Sequence, residues 1–250
     1  MTLHPSVRRR VPGAILINDG DKGGVGKSFG DLVAAHGLIA AGLPWVGIDA
    51  DMRNAHLYRF HGGDRVRRLP LQTEEQWDQL IDTIERDVPL DHVVLIDTPA
   101  GAGHMMERCG PRLKAFAAHQ GRPFLRLFAL DEEDDVLLAL ARTRGLGFDH
   151  VVACLNGRFG ASPEAFELWR RPMPGAPSLR DQVLAAGGLE LYIPALRASV
   201  RSQLRRANLP FHRAGELALS WSETRSLTDW VEQVEAAFAP VLARIAGGVK

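Results

Sequence analysis

The sequence predicts an α/β fold: a three-layer, doubly wound and mostly parallel sheet with helices on both faces. Three observations predict it. Short apolar runs alternate with stretches of helical periodicity, the pattern of strands buried on both faces by crossover helices. Several apolar runs end in an acidic or amide residue, which places polar groups at the carboxyl edge, where open α/β sheets bind ligands. A glycine-rich loop separates the first strand from the first helix.

The strands are expected at 14–18, 45–49, 92–97, 124–130, 150–156 and 190–193. Between them, residues 29–41 form a helix that leaves the glycine loop directly. The helix at 73–86 opens on Thr73 and Gln76, spaced as a capping box, and carries Trp77, Leu80, Ile81 and Ile84 on one stripe. Residues 131–143 begin with the acidic run Asp131 to Asp135, which suits the positive end of a helix dipole. The last helix, 226–245, places Val231, Val234, Phe238, Val241, Leu242 and Ile245 on one face. Segments 61–71 and 157–188, rich in Gly, Arg and Pro, read as irregular surface excursions. The expected organisation is a flexible arm, 1–12, followed by a single domain, 13–250.

Composition bounds the function. The chain has 250 residues, enough for one domain with a sizeable core. No stretch approaches the roughly 20 apolar residues that span a bilayer, and no signal-peptide pattern follows Arg8–Arg10, so a cytoplasmic protein is expected. Lys and Arg total 30, as do Asp and Glu; zero net charge argues against coating nucleic acid by bulk charge but permits a local patch. Cys109 and Cys154 have neither disulfide nor metal-ligand spacing and read as small buried apolar residues.

The decisive segment is Lys22-Gly23-Gly24-Val25-Gly26-Lys27-Ser28, preceded by Asp21. Following a strand and opening a helix at Phe29, its glycines can turn backbone N–H groups toward one anion, as in a phosphate-binding loop. Lys27 would reach the outer phosphates of a bound nucleotide, and the Ser28 hydroxyl would ligate Mg²⁺. The general form of this loop has Gly where Asp21 stands. The deviant form, with an extra lysine before the glycine pair, fits better, and there the sequence resembles the ParA/MinD family of ATPases. That resemblance implies that Lys22 reaches across an ATP-bridged homodimer to the phosphates of the other subunit.

Two further segments match the family. Asp49-Ala50-Asp51 ends the second strand; Asp49 is expected to hold Mg²⁺ through water, and Asp51 to orient the attacking water. Val93–Gly101 resembles the family's apolar strand ending in a magnesium-binding Asp, here Asp97, with Gly101 presenting its N–H to the γ-phosphate. Resemblance also places Asn156 and the backbone of Pro194 near the base. Arg197, Arg201, Arg205 and Arg206 make a basic stretch that could grip DNA nonspecifically. The chain lacks both the Pro-Gln after the second Asp of ParA proper and a MinD-type basic tail.

The function implied is a slow ATPase acting as a dimerisation switch, stimulated by a partner protein, in plasmid or chromosome partitioning or DNA transfer. The alternatives are a small-molecule kinase or ligase on a related fold, and a nucleotide-gated adaptor without hydrolysis.

Overall fold

A computed structural model describes residues 11–247; most of the expected 1–12 arm, with Arg8–Arg10, lies outside the described residues. In chain order the elements are β1 (Ile15–Asp19), α1 (Lys27–Ala40), β2 (Trp45–Asp49), α2 (His56–His61), β3 (Val66–Arg68), α3 (Glu74–Asp87), β4 (Val93–Asp97) and α4 (Gly103–His119). There follow β5 (Phe124–Leu130), α5 (Asp134–Arg142), β6 (Val151–Asn156), α6 (Glu167–Arg170), α7 (Leu179–Ala185), β7 (Leu189–Ile193), α8 (Ala198–Ala207) and α9 (Trp221–Gly247).

All seven strands are parallel, in the order β3-β2-β4-β1-β5-β6-β7. Each crossover carries a helix, so both faces are covered. Side-chain alternation divides the core. Ala14 and Leu16 face one layer, built by α1, α2, α8 and α9, whereas Ile15 and Ile17 face the other, built by α3 and α4. The β5 and β6 end of that second layer is covered by α5, α6 and α7. The order reverses around β1, so the loop after β1 stands at the switch point of the carboxyl edge.

The helices follow their patterns. Thr73 caps α3, its hydroxyl accepting from the Gln76 N–H while the Gln76 side chain accepts from the Thr73 N–H. The expected stripe is buried at Trp77, Leu80 and Ile84. On α9, Leu227, Trp230, Val234, Phe238, Val241 and Ile245 are buried. At about 1.5–3 kcal/mol per side chain, that seam is worth on the order of 10 kcal/mol before entropy. Close approach to α1 is built in at Gly37, where a Cβ would overlap the Phe238 ring.

Four departures are instructive. The excursion at 61–71 contains β3, whose Val66 is fully buried and pairs with Gly47; a three-residue strand, two of them arginines, is too short for a period-2 signal. Residues 157–188 contain α6 and α7, anchored by Trp169, Leu179 and Val183. The longest unexpected helix is α4, disguised by Gly103, Gly110 and Pro111 yet burying Met106, Cys109, Leu113 and Ala117 at helical spacing. Finally, α5 begins at Asp134 and not at Asp131, with Glu133 extended at its N-cap position. Both cysteines are free and buried. No helix among the described residues is long and apolar enough to cross a membrane.

Candidate nucleotide site

A cavity of about 480 Å³ opens at the carboxyl edge, floored by the loop between β1 and α1. Gly24 and Gly26 hold φ of 83° and 103°, the left-handed region that glycine enters without cost. Gly26 has a second constraint: a Cβ there would overlap the Asn156 amide. The first turn of α1 has no side-chain cap and no acidic residue, so its N–H groups and dipole are left for an anion.

Several residues fasten this loop. Asn18 donates to the Lys27 carbonyl (2.6 Å) and to Asp31 (2.8 Å), and the Thr98 hydroxyl donates to the Asn18 carbonyl (2.6 Å). Asp19 accepts the Gly20 N–H through Oδ1 (2.8 Å) and the Arg126 guanidinium through Oδ2. Arg126, in the middle of β5 and wholly buried, also binds Thr143. Asp21 accepts the Gly103 N–H (2.6 Å), and its carbonyl accepts the Gly101 N–H (2.8 Å), tying the loop to the start of α4. The departure at Asp21 from the general loop is thus a tether. Sequence reasoning missed Asp31 and Arg126; a lone arginine inside Phe124–Leu130 was the available signal.

Lys27 and Ser28 line the cavity as expected, and the Lys27 ammonium donates to the Lys22 carbonyl (2.8 Å). Burial lowers the Lys27 pKa, opposed by Asp97, Asp31, Asp19 and Asp21. Beneath them Asp97 is fully buried, and neither of its carboxylate oxygens has a hydrogen-bond partner of sound geometry, although Ser28 and Asp31 are neighbours. Burial first, then the charge of Asp49, pushes Asp97 up to about 7. Asp31 is raised as well, by burial and then by Asp97.

Asp49 is buried, with Oδ1 accepting the Asp51 N–H (3.1 Å) and Oδ2 the Tyr58 N–H (2.9 Å); it fixes the turn into α2. Asp51 lines the cavity and accepts the N–H groups of Arg53 and Asn54 and the Asn54 side-chain amide. Burial would raise its pKa, but these donors from Asn54 and Arg53 outweigh it and hold Asp51 low. An ionised carboxylate at the cavity wall can accept a hydrogen bond from water at neutral pH.

Other expected residues are placed differently. Gly101 spends its N–H on Asp21 and does not line the cavity. The Pro194 carbonyl accepts from the Trp230 indole (2.7 Å), and Ala195 and Leu196 form the wall there. Val25 is buried beneath the loop, its carbonyl accepting from Asn156 (2.9 Å), so Asn156 braces the loop as well as lining the cavity. Gly23, Gly24 and Phe29 line it directly. The arginine stretch is divided: Arg201 and Arg205 line the cavity, Arg197 donates to Ser222 (3.3 Å), and Arg206 is exposed.

Lys22 makes an intrachain contact that sequence did not foresee. Its ammonium lies 2.9 Å from Asp131, 2.6 Å from Glu133 and 3.3 Å from Asp135. Desolvation would lower its pKa, but the three carboxylates outweigh it and raise it. The acidic run therefore serves as a clamp on Lys22; only Asp134 and Asp135 stand in the first turn of α5.

No family model and no curated protein matches this sequence. Solved structures do. A putative plasmid partition protein from Borrelia burgdorferi B31 bound to AMPPNP matches 92% of this chain and 99% of that chain, with a TM-score of 0.53 at 12% identity. The signal recognition particle receptor FtsY from Elizabethkingia anophelis matches 90% of this chain and 65% of that chain, with a TM-score of 0.50 at 12% identity. A chain of the MinC:MinD cell division protein complex from Aquifex aeolicus matches 90% of this chain and 96% of that chain, with a TM-score of 0.49 at 15% identity. At such identities the likeness concerns the fold alone: this chain shares its three-layer α/β fold with the partition protein and with FtsY.

Proposed function

We propose that the chain is an ATP-binding, slowly hydrolysing switch that dimerises on ATP and acts in partitioning or transferring DNA. One observation carries it: Lys27, Ser28 and Asp51 converge on a single cavity, with Asp97 buried beneath it and Lys22 at its rim. The N–H groups of the loop and the Lys27 ammonium bind the β- and γ-phosphates. The orphaned oxygens of Asp97, with the Ser28 hydroxyl beside them, fit hydrated Mg²⁺. Asp49 would add its charge to that site while its two oxygens, accepting the Asp51 and Tyr58 N–H groups, fix Asp51. When bound, Mg²⁺ neutralises charge on the phosphates. Asp51 holds the attacking water by accepting its hydrogen bond, and its low pKa suits orientation better than proton abstraction. Turnover stays slow until a partner protein completes the site.

Dimerisation requires Lys22 to leave its clamp for the phosphates of a second copy. Static light scattering with AMPPNP and Mg²⁺ should double the mass of the wild type, and Lys22→Ala should remain monomeric. Dimers that persist unchanged in Lys22→Ala would exclude the sandwich. DNA contact is read with Asp51→Ala, by fluorescence anisotropy on random duplex DNA in ATP and in ADP. Binding confined to ATP and weakened steeply by salt supports DNA as the surface. Absence of binding moves the search to a protein partner. Phosphate release that needs a small acceptor would instead favour a kinase or ligase.

A further inference from the structure

The cavity mouth is flanked by opposite charges. At one end, beside Lys22, stand Asp131, Glu132, Glu133, Asp134 and Asp135, on the sheet face that carries α3 and α4. At the other end, on the face of α1, α8 presents Arg201 and Arg205 into the same cavity. These two arginines stand four apart, so they share one side of α8. Neither has an acidic partner among the described residues. The end of α8 is fixed to α2 by Arg59, which donates to Asn208 (2.7 Å), and Arg205 is close enough to His56 to lower its pKa, after burial and Arg59.

A chain with zero net charge has therefore placed acid and base on either side of one opening. A two-fold axis through that opening exchanges its two ends, so acid meets base twice in an isologous contact. The acidic end also needs a cation once Lys22 leaves. Without Lys22, Asp131 keeps the Glu133 N–H (3.0 Å) but all three carboxylates lose their shared cation, and Glu133 and Asp135 are 70% and 60% exposed, open to a partner.

We propose that a second copy of this chain docks on this mouth, with Arg201 and Arg205 of each copy replacing Lys22 on Glu133 and Asp135 of the other. This rests on the ATP-bridged dimer proposed above and adds the exchange that releases its lysine. The guanidinium fork suits the role, since it pairs with carboxylates in fixed, two-point geometry. Lys22 and the incoming arginines trade partners, so the cost of opening the clamp is offset at the interface.

The test is a charge swap between two variants, Arg201→Glu/Arg205→Glu and Glu133→Arg/Asp135→Arg. Dimerisation is followed by analytical ultracentrifugation in AMPPNP and Mg²⁺, and nucleotide binding by each monomer with a fluorescent ATP analogue. Alone, each variant sets like charges against each other at both contacts, and dimer affinity should fall by about tenfold or more. Mixed in equal amounts, they are complementary at both contacts, and affinity should return to within about threefold of wild type, weakening with added NaCl. If Arg201→Glu/Arg205→Glu impairs nucleotide binding, the exchange is read from the acidic side, where Glu133→Arg/Asp135→Arg, outside the cavity lining, should by itself lower dimer affinity by about tenfold or more, and dimerisation like wild type there overturns the exchange. A mixture as weak as either variant alone, or an arginine variant that dimerises like wild type, overturns the exchange while the ATP dimer stands. Wild type that stays monomeric in AMPPNP removes the dimer and the exchange together.

Discussion

Replacing Arg126 by Met tests how the glycine loop after β1 is anchored. The guanidinium is wholly buried, and Asp19, with which it pairs, is 2% exposed. Its Nε lies 3.0 Å from Asp19 Oδ2, while Asp19 Oδ1 holds the Gly20 N–H at 2.8 Å, at the entrance to the loop. Methionine fills much of the volume but leaves a buried carboxylate without its cation and Thr143 without its donor. Removing one partner of a buried pair costs about 3–5 kcal/mol. For a chain of this size, at roughly 2–4 °C per kcal/mol, Tm should drop by about 6–20 °C. Urea unfolding followed by circular dichroism gives the free energy, and a double-mutant cycle gives its cause. Asp19→Asn keeps an acceptor for Gly20 but removes the charge, so the double variant should recover about 2 kcal/mol relative to Arg126→Met alone. A loss below about 1 kcal/mol for Arg126→Met, or strictly additive single variants, would refute the assignment.

Three more outcomes follow from the same structure. Gly26→Ala should lower ATP affinity at least about tenfold, since it meets both a positive φ and the Asn156 amide; adding Asn156→Ala should return only part of it, because the φ remains. Asp97→Asn should raise the midpoint of thermal unfolding of the nucleotide-free protein while abolishing Mg²⁺-dependent ATP binding, because a carboxyl pushed up to about 7 opposes folding at neutral pH. His61 is held down to about 4 by burial, then by His212 and Arg65. Its neutral form is the folded one, so its contribution is complete above pH 6.5 and is lost as pH falls from 6.5 toward 4. That amounts to up to about 3 kcal/mol. Urea midpoints across that range should fall less steeply in His61→Phe than in wild type, and parallel curves would contradict the burial of a neutral imidazole.

What the sequence determined by itself was whatever depends on near neighbours along the chain. Six of the seven strands were legible because doubly buried strands are apolar throughout. The glycine loop between β1 and α1 was legible because glycines that permit positive φ, followed by a helix, are a local signal. The capping box at Thr73 is likewise local. Helix α4 escaped because Gly103, Gly110 and Pro111 depress propensity, which packing of Met106, Cys109 and Leu113 overrides. Tertiary structure alone decided the rest of the site. Lys22 and Asp135 are 113 residues apart, Asp19 and Arg126 107, and Val25 and Asn156 131. Each of these contacts exists because parallel crossovers bring successive strand ends to one edge, and a pattern with a period of two or 3.6 residues contains no information about which distant loop lies beside it. The same separation turned an acidic run that reads as a helix cap into a clamp on the lysine that the proposed switch must set free.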